Sequence, residues 1–143
     1  MAVDVITEIV IARPCEVVAA YAGDPSNTPR WYTYVSAVRW LTPPPLRVGS
    51  RLDFVSILFN LDYTYEVTEL GLRRMVMSMA QGPFPMETTY TWDPIGDFAT
   101  RMTLRNRAEP LWFARPWNPA LAQALRQVSE KDLARLKRIL EPN

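Results

Sequence analysis

The 143-residue chain contains no histidine. That absence excludes Ser-His-Asp and Cys-His nucleophile arrangements, and every zinc site that needs imidazole. A single cysteine, Cys15, leaves no partner for an intrachain disulfide and too few thiolates for a Cys-rich metal cluster. No apolar run approaches the roughly 18 residues of a membrane-spanning helix. The opening Met-Ala-Val-Asp-Val-Ile-Thr-Glu carries acid where a secretory signal carries Lys or Arg, so a cytoplasmic protein is expected. Charge of one sign is lacking too: 16 Lys+Arg face 15 Asp+Glu, which gives no electrostatic footprint for nucleic acid or an acidic membrane. No Gly-rich phosphate loop appears, which disfavours nucleotides. Neither a metal nor a cofactor is expected.

What the chain does have is apolar, aromatic and proline-rich: 5 Trp, 6 Tyr, 5 Phe and 13 Pro. Residues 1–143 read as a single domain, with no linker or repeat, and Thr42-Pro43-Pro44-Pro45 reads as a stiff loop. Residues 3–12 alternate, with Asp4 and Glu8 on one face and Val5, Thr7, Ile9 and Ile11 on the other, the pattern of a half-buried strand. Pro14 suits the first turn of a helix over 16–21, which Gly23 can end. Asp24-Pro25 signals a second short helix, which Pro29 should limit.

Strand patterns follow near 34–41, 50–59, 62–70, 73–81, 86–93 and 99–107, with turns at Gly49, Gly71, Gly82-Pro83 and Pro94-Ile95-Gly96-Asp97. Connections this short suit antiparallel pairing. Asn118-Pro119 then starts a helix running to about Glu141, with an apolar stripe of Leu121, Leu125, Val128, Leu136 and Ile139, and Leu133 and Leu140 at its edge. About 22 residues give about 33 Å of helix, enough to cross six or seven strands. One long helix against a curved antiparallel sheet buries both faces: an α+β fold.

This order resembles the helix-grip fold of the START-like, or SRPBCC, superfamily. Short segments carry the likeness in sequence: Ile11-Ala-Arg-Pro14 with Glu16-Val17, Asp24-Pro25 with Pro29-Arg30-Trp31, and Leu46-Arg-Val-Gly49-Ser50-Arg51. Tyr65-Glu-Val-Thr-Glu69, Gly82-Pro-Phe-Pro85, Tyr90-Thr-Trp-Asp-Pro94 and Asp132-Leu-Ala-Arg-Leu-Lys137 continue it. The chain is most similar to the polyketide cyclase/dehydrase-like branch. The resemblance implies a curved seven-stranded sheet gripping the C-terminal helix, with two short helices after the first strand and a cavity between sheet and helix. It does not imply one reaction, because members share the fold without sharing the chemistry.

Alternation nominates the residues facing that cavity: Leu52, Phe54, Ser56; Tyr63, Tyr65, Val67; Met75, Met77, Met79; Thr88, Tyr90, Trp92; Met102, Leu104, Asn106. Met and aromatic walls are adaptable and suit a flat or greasy ligand. Trp112, Phe113 and Trp117 fall at the base of the long helix, as a gate or as a hydrophobic plug; Trp31 either closes the pocket or pins its helix to the sheet. The candidate ligand-binding set is thus Trp31, Phe54, Tyr63, Tyr65, Met77, Tyr90, Trp92, Met102, Trp112, Phe113 and Trp117. Tyr65 and Tyr90 are the candidate catalytic residues, as donors to a carbonyl or an enolate-like intermediate. Glu66, Glu87, Arg74, Arg101, Arg105 and Arg107 have outward parity, and Glu69 and Arg73 have inward parity at the rim. The expected function is binding of a hydrophobic or aromatic small molecule by a monomer or homodimer, in a cavity of at least roughly 300 Å³. A polyketide cyclase/dehydratase-type enzyme and a protein-interaction module are the alternatives.

Overall fold

The computed structural model describes residues 3–57, 62–81, 85–108 and 118–142. Strand β1 (Val3–Ile11) is followed by helix α1 (Cys15–Ala22), a single 3-10 turn (Pro25–Asn27) and helix α2 (Thr28–Trp31). Six strands follow: β2 (Val35–Trp40), β3 (Arg51–Ser56), β4 (Asp62–Leu70), β5 (Arg74–Gln81), β6 (Met86–Ile95) and β7 (Ala99–Ala108). Helix α3 (Asn118–Leu140) closes the chain. The seven strands form one antiparallel sheet in the order β1-β7-β6-β5-β4-β3-β2, so only β1 closes a non-local pair. This is the α+β helix-grip architecture: a curled sheet wrapped round the C-terminal helix.

The pairing fixes the faces. Phe54 pairs with Tyr63, Leu52 with Tyr65, Val67 with Met77, Met77 with Thr88, Tyr90 with Leu104 and Trp92 with Met102. Partners across a ladder share a face, so these side chains all stand on the inner surface. The outer face carries exposed ion pairs, such as Arg105 with Asp4 (2.6 Å) and Arg39 with Asp62 (2.5 Å). Such pairs contribute little to stability. Edge strand β1 is shielded by α3, where Lys137 Nζ donates to the Val10 carbonyl (2.6 Å) and an Arg126 guanidinium nitrogen to the Ile6 carbonyl (3.2 Å).

Several local expectations are corrected. Pro29 does not limit the second helix but sits in its first turn, where a missing N–H costs nothing; Asp24 caps the preceding 3-10 turn by accepting from the Ser26 N–H (3.0 Å). Gly23 ends α1 in a right-handed conformation, and the glycine is required by space: a Cβ would lie 2.7 Å from the Ala19 carbonyl oxygen. Pro94 is not in the turn but in β6, opposite Thr100, beyond the point where β6 pairs with β5. The turn itself rests on Gly96, at φ +64. Glu69 loses its inward parity through an irregularity between Val67 and Glu69, and it pairs with Arg74 on the outer face (3.0 Å). Strand β3 ends at Ser56, short of the expected 59, and residues 58–61 lie outside the described residues.

The two halves of α3 are buried differently. Ser129, Asp132, Leu133, Leu136 and Leu140 are buried, whereas Leu121, Leu125 and Val128 are half-buried and Ile139 is exposed. Leu133 and Leu140 thus occupy the centre of the buried stripe and Ile139 its edge, the reverse of the expected arrangement. Below the C-terminal half lies a filled core in which Ile11, Trp31, Leu52, Val67, Met102 and Leu136 are completely buried. Burying a large apolar side chain of this kind contributes roughly 1.5–3 kcal/mol over leaving it exposed. No helix among the described residues is long and apolar enough to cross a membrane.

Candidate functional site

At the other end of the sheet the interior is not filled. Between the N-terminal half of α3 and the far ends of β3, β4 and β5 lies a cavity of about 440 Å³. Its walls come from alternate positions of neighbouring strands: Phe54, Tyr63, Tyr65, Met77, Met79 and Met86 from the sheet, with Leu121, Leu125 and Val128 closing it from the helix. The size falls within the usual range for small-molecule sites. A depression of about 470 Å³ also exists on the outer surface, between α1 and the loop after β2, lined by Ala20, Asp24, Trp40, Pro44 and Leu46. It is open to solvent; Trp40 and Trp92 border it, but no methionine or tyrosine does.

The cavity deepens into a polar niche of about 140 Å³ that shares Tyr32, Tyr65, Met86 and Thr88 with it. Thr88 Oγ1 donates to Asn106 Oδ1 (2.8 Å), and Asn106 Nδ2 donates to Ser129 Oγ (3.2 Å), tying β6, β7 and α3 together. Tyr65 Oη donates to the Met86 thioether (3.3 Å), a weak acceptor. Asp132 enters from α3. Its Oδ1 accepts from the Thr33 N–H (2.8 Å) and the Thr33 hydroxyl (2.7 Å), which locks α3 to the segment after α2. Tyr32 and Tyr90 share a hydrogen bond between their hydroxyls, behind the niche.

Burial sets the protonation of these groups. It pushes the Tyr65 phenol up to about 12 and those of Tyr90 and Tyr32 well above their ordinary range. All three therefore stay neutral and do not act as bases: Tyr65 donates to Met86, and of Tyr32 and Tyr90 one donates to the other. Burial also raises the Asp132 carboxyl above the ordinary carboxylate range, against the bonds from Thr33 that pull it down. Cys15 shows no sign of activation: burial raises its thiol, and its Sγ donates to the Trp92 carbonyl (3.4 Å). No cluster of metal-ligating side chains exists among the described residues.

The nominated residues separate into three groups. Phe54, Tyr63, Tyr65 and Met77 line the cavity. Trp31, Tyr90, Trp92 and Met102 also face inward but do not line it, because they are sealed in the packed core. Trp31 stacks edge-to-face on Tyr32 (4.6 Å) and lies 5.7 Å from Tyr90, so it pins α2 to the sheet and forms the floor behind the cavity. Trp112, Phe113 and Trp117 lie outside the described residues. Sequence reasoning missed Tyr32, Tyr34, Ser129 and Asp132 as lining residues. The signal for Asp132 was legible: it falls four residues after Val128 and one before Leu133, a charged residue inside an apolar stripe.

The family model described as "Polyketide cyclase / dehydrase and lipid transport" matches residues 2–141 of the chain. No curated protein matches it. Among solved structures, the START superfamily protein from Mycobacterium smegmatis superposes with a TM-score of 0.81 at 15% identity, covering 97% of both chains. The di-domain ARO/CYC StfQ from the steffimycin biosynthetic pathway gives 0.82 at 14% identity, over 99% of this chain and 51% of that one. The di-domain ARO/CYC BexL from the BE-7585A biosynthetic pathway gives 0.78 at 17% identity, over 94% and 45%. The chain thus spans about half the length of these two di-domain proteins. At such identities the likeness establishes the fold.

Proposed function

The chain belongs to the polyketide cyclase / dehydrase and lipid transport family, and from that membership and the cavity together we propose that it binds a hydrophobic or aromatic small molecule between its sheet and α3. A polyketide, an isoprenoid or a lipid-like compound fits the wall. The observation that carries this reading is a cavity of about 440 Å³ lined by tyrosine, phenylalanine, methionine and leucine. Rigid rings and flexible thioethers together shape themselves to flat apolar ligands. Native mass spectrometry of the purified protein tests it. A surplus mass that disappears on denaturation is expected; a protein that carries nothing and binds no polycyclic probe removes the reading. A protein-interaction role called for a filled interior, and the cavity counts against it.

Cyclisation or dehydration of a poly-β-ketone chain is a second reading, favoured by the niche beside the cavity. The Tyr65 hydroxyl is placed to polarise a carbonyl, Asp132 is a carboxyl able to take a proton, and the cavity shape would fold the chain. In this reading Tyr65→Phe lowers turnover of a poly-β-ketone substrate by more than it lowers its binding, whereas Tyr90, sealed in the packed core, does not reach the substrate. Equal losses in both, or no turnover of any such substrate by the wild type, would remove it.

A further inference from the structure

The lining of the cavity and its niche has one electrostatic character. Among the described residues, no lysine or arginine side chain lines either space. The arginines of β5 and β7 stand on the opposite face, where Arg74 pairs with Glu69 and Arg105 with Asp4. Among the described residues, the one ionisable carboxyl in the lining is Asp132, only 3% exposed. Both of its hydrogen bonds reach Oδ1, which leaves Oδ2 without a hydrogen-bond partner among the described residues. A buried carboxyl with an oxygen to spare, and no cation beside it in the lining, is complementary to a donor and repels an anion, although Arg135 and Lys131 of the same helix act on it from outside the lining.

None of the remaining polar residues of the niche, Tyr32, Tyr34, Tyr65, Thr88, Asn106 and Ser129, is a cation. Thr88, Asn106 and Ser129 already bond to one another, and Tyr65 holds a neutral phenol that donates to a thioether. A ligand carboxylate entering here would lose its hydration and meet Asp132 with no cation in the lining to pair with it. Like-charge juxtaposition in a desolvated site costs several kcal/mol. A hydroxyl or an ammonium in the same place would supply the hydrogen that Asp132 lacks.

We propose that the cavity takes an aromatic or polycyclic ligand whose inner end carries a hydroxyl or amine donor, and that it excludes ligands bearing a carboxylate or phosphate. The proposal rests on the reading of this cavity as a ligand site and adds the charge class of the ligand. The test is a fluorescence titration of the wild-type protein, near neutral pH, with four anthracenes. They differ only in one substituent on the central ring: hydroxymethyl, aminomethyl, methyl or carboxylate. The hydroxymethyl and aminomethyl compounds are expected to bind at least about 10-fold more tightly than the carboxylate. In Asp132→Asn, which retains an oxygen for Thr33, the gap between the aminomethyl and carboxylate compounds is expected to narrow. Equal binding of all four, or tightest binding of the carboxylate, overturns the selectivity and leaves the cavity reading standing. Binding of none overturns both.

Discussion

The two ends of this interior are built from the same kinds of residue and reach opposite results. At one end Trp31, Trp92, Met75, Met102, Leu133 and Leu136 interlock until none is more than marginally exposed. At the other, Tyr63, Tyr65, Met79, Leu121 and Leu125 surround about 440 Å³. Composition does not separate the ends; what differs is what covers the sheet. At the packed end α1 and α2 fill the concave face beside α3, and Gly23 lets that layer press against the Trp92 ring. At the open end α3 covers the sheet without them. An inward-facing apolar residue in the fold is therefore packed in the core or left lining a cavity according to whether a short helix stands above it.

Truncations separate the ends most sharply. Trp92→Ala, in the packed core, is expected to destabilise the protein by about 3–5 kcal/mol, whereas Met79→Ala, on the cavity wall, should cost under about 1.5 kcal/mol. Urea unfolding midpoints check both, and comparable losses would show that the open end is a core after all. The same contrast on one helix is smaller. Leu133→Ala is expected to cost about 2–4 kcal/mol and Leu125→Ala about 1 kcal/mol, with probe binding weakened in the second. Loss of probe affinity only in Leu133→Ala would reverse the assignment of the two helix halves.

The smallest effect concerns Asp132. Its carboxyl is held above the ordinary range in the folded protein, so the fold favours the protonated form. The stability linked to this group is fully present below its unfolded value of 3.8 and is lost as pH rises through the raised folded value. Asp132→Asn removes that loss and keeps the Oδ1 acceptor for Thr33. Its stability relative to wild type should therefore increase from acid to neutral pH, by roughly 1 kcal/mol or less. A relative stability that falls over that interval would mean the carboxylate is stabilised by the fold.

Strand order, faces and the long helix were legible in the sequence because a one-residue error in strand parity would expose an entire row of Leu, Met and aromatic side chains. Glu69 escaped because a ladder irregularity is a two-strand property, invisible in one segment. The division between core and cavity escaped for a similar reason. Tyr63 and Trp92 have the same parity, and only the position of α1 and α2 above the sheet decides which is enclosed. Pro29 and Pro94 were read as breaks, although each sits where its missing N–H has no partner to lose. Asp132 stands out as a charge inside the apolar stripe of the helix, but strand parity, which nominated the cavity wall, carries no information about helix residues.

The central claim is that the open end is a ligand site and the packed end is not. Val128→Trp places a large ring in the cavity from α3, and Ala22→Trp forces the same ring into the packed core. Fluorescence titration of wild type and Val128→Trp with the hydroxymethyl anthracene, beside thermal unfolding of both variants, is the most direct measurement. Saturable binding by the wild type is expected, lost in Val128→Trp with stability kept within about 1 kcal/mol, while Ala22→Trp loses at least about 1–3 kcal/mol. Undiminished binding by a stably folded Val128→Trp, or no saturation by the wild type, would contradict the claim.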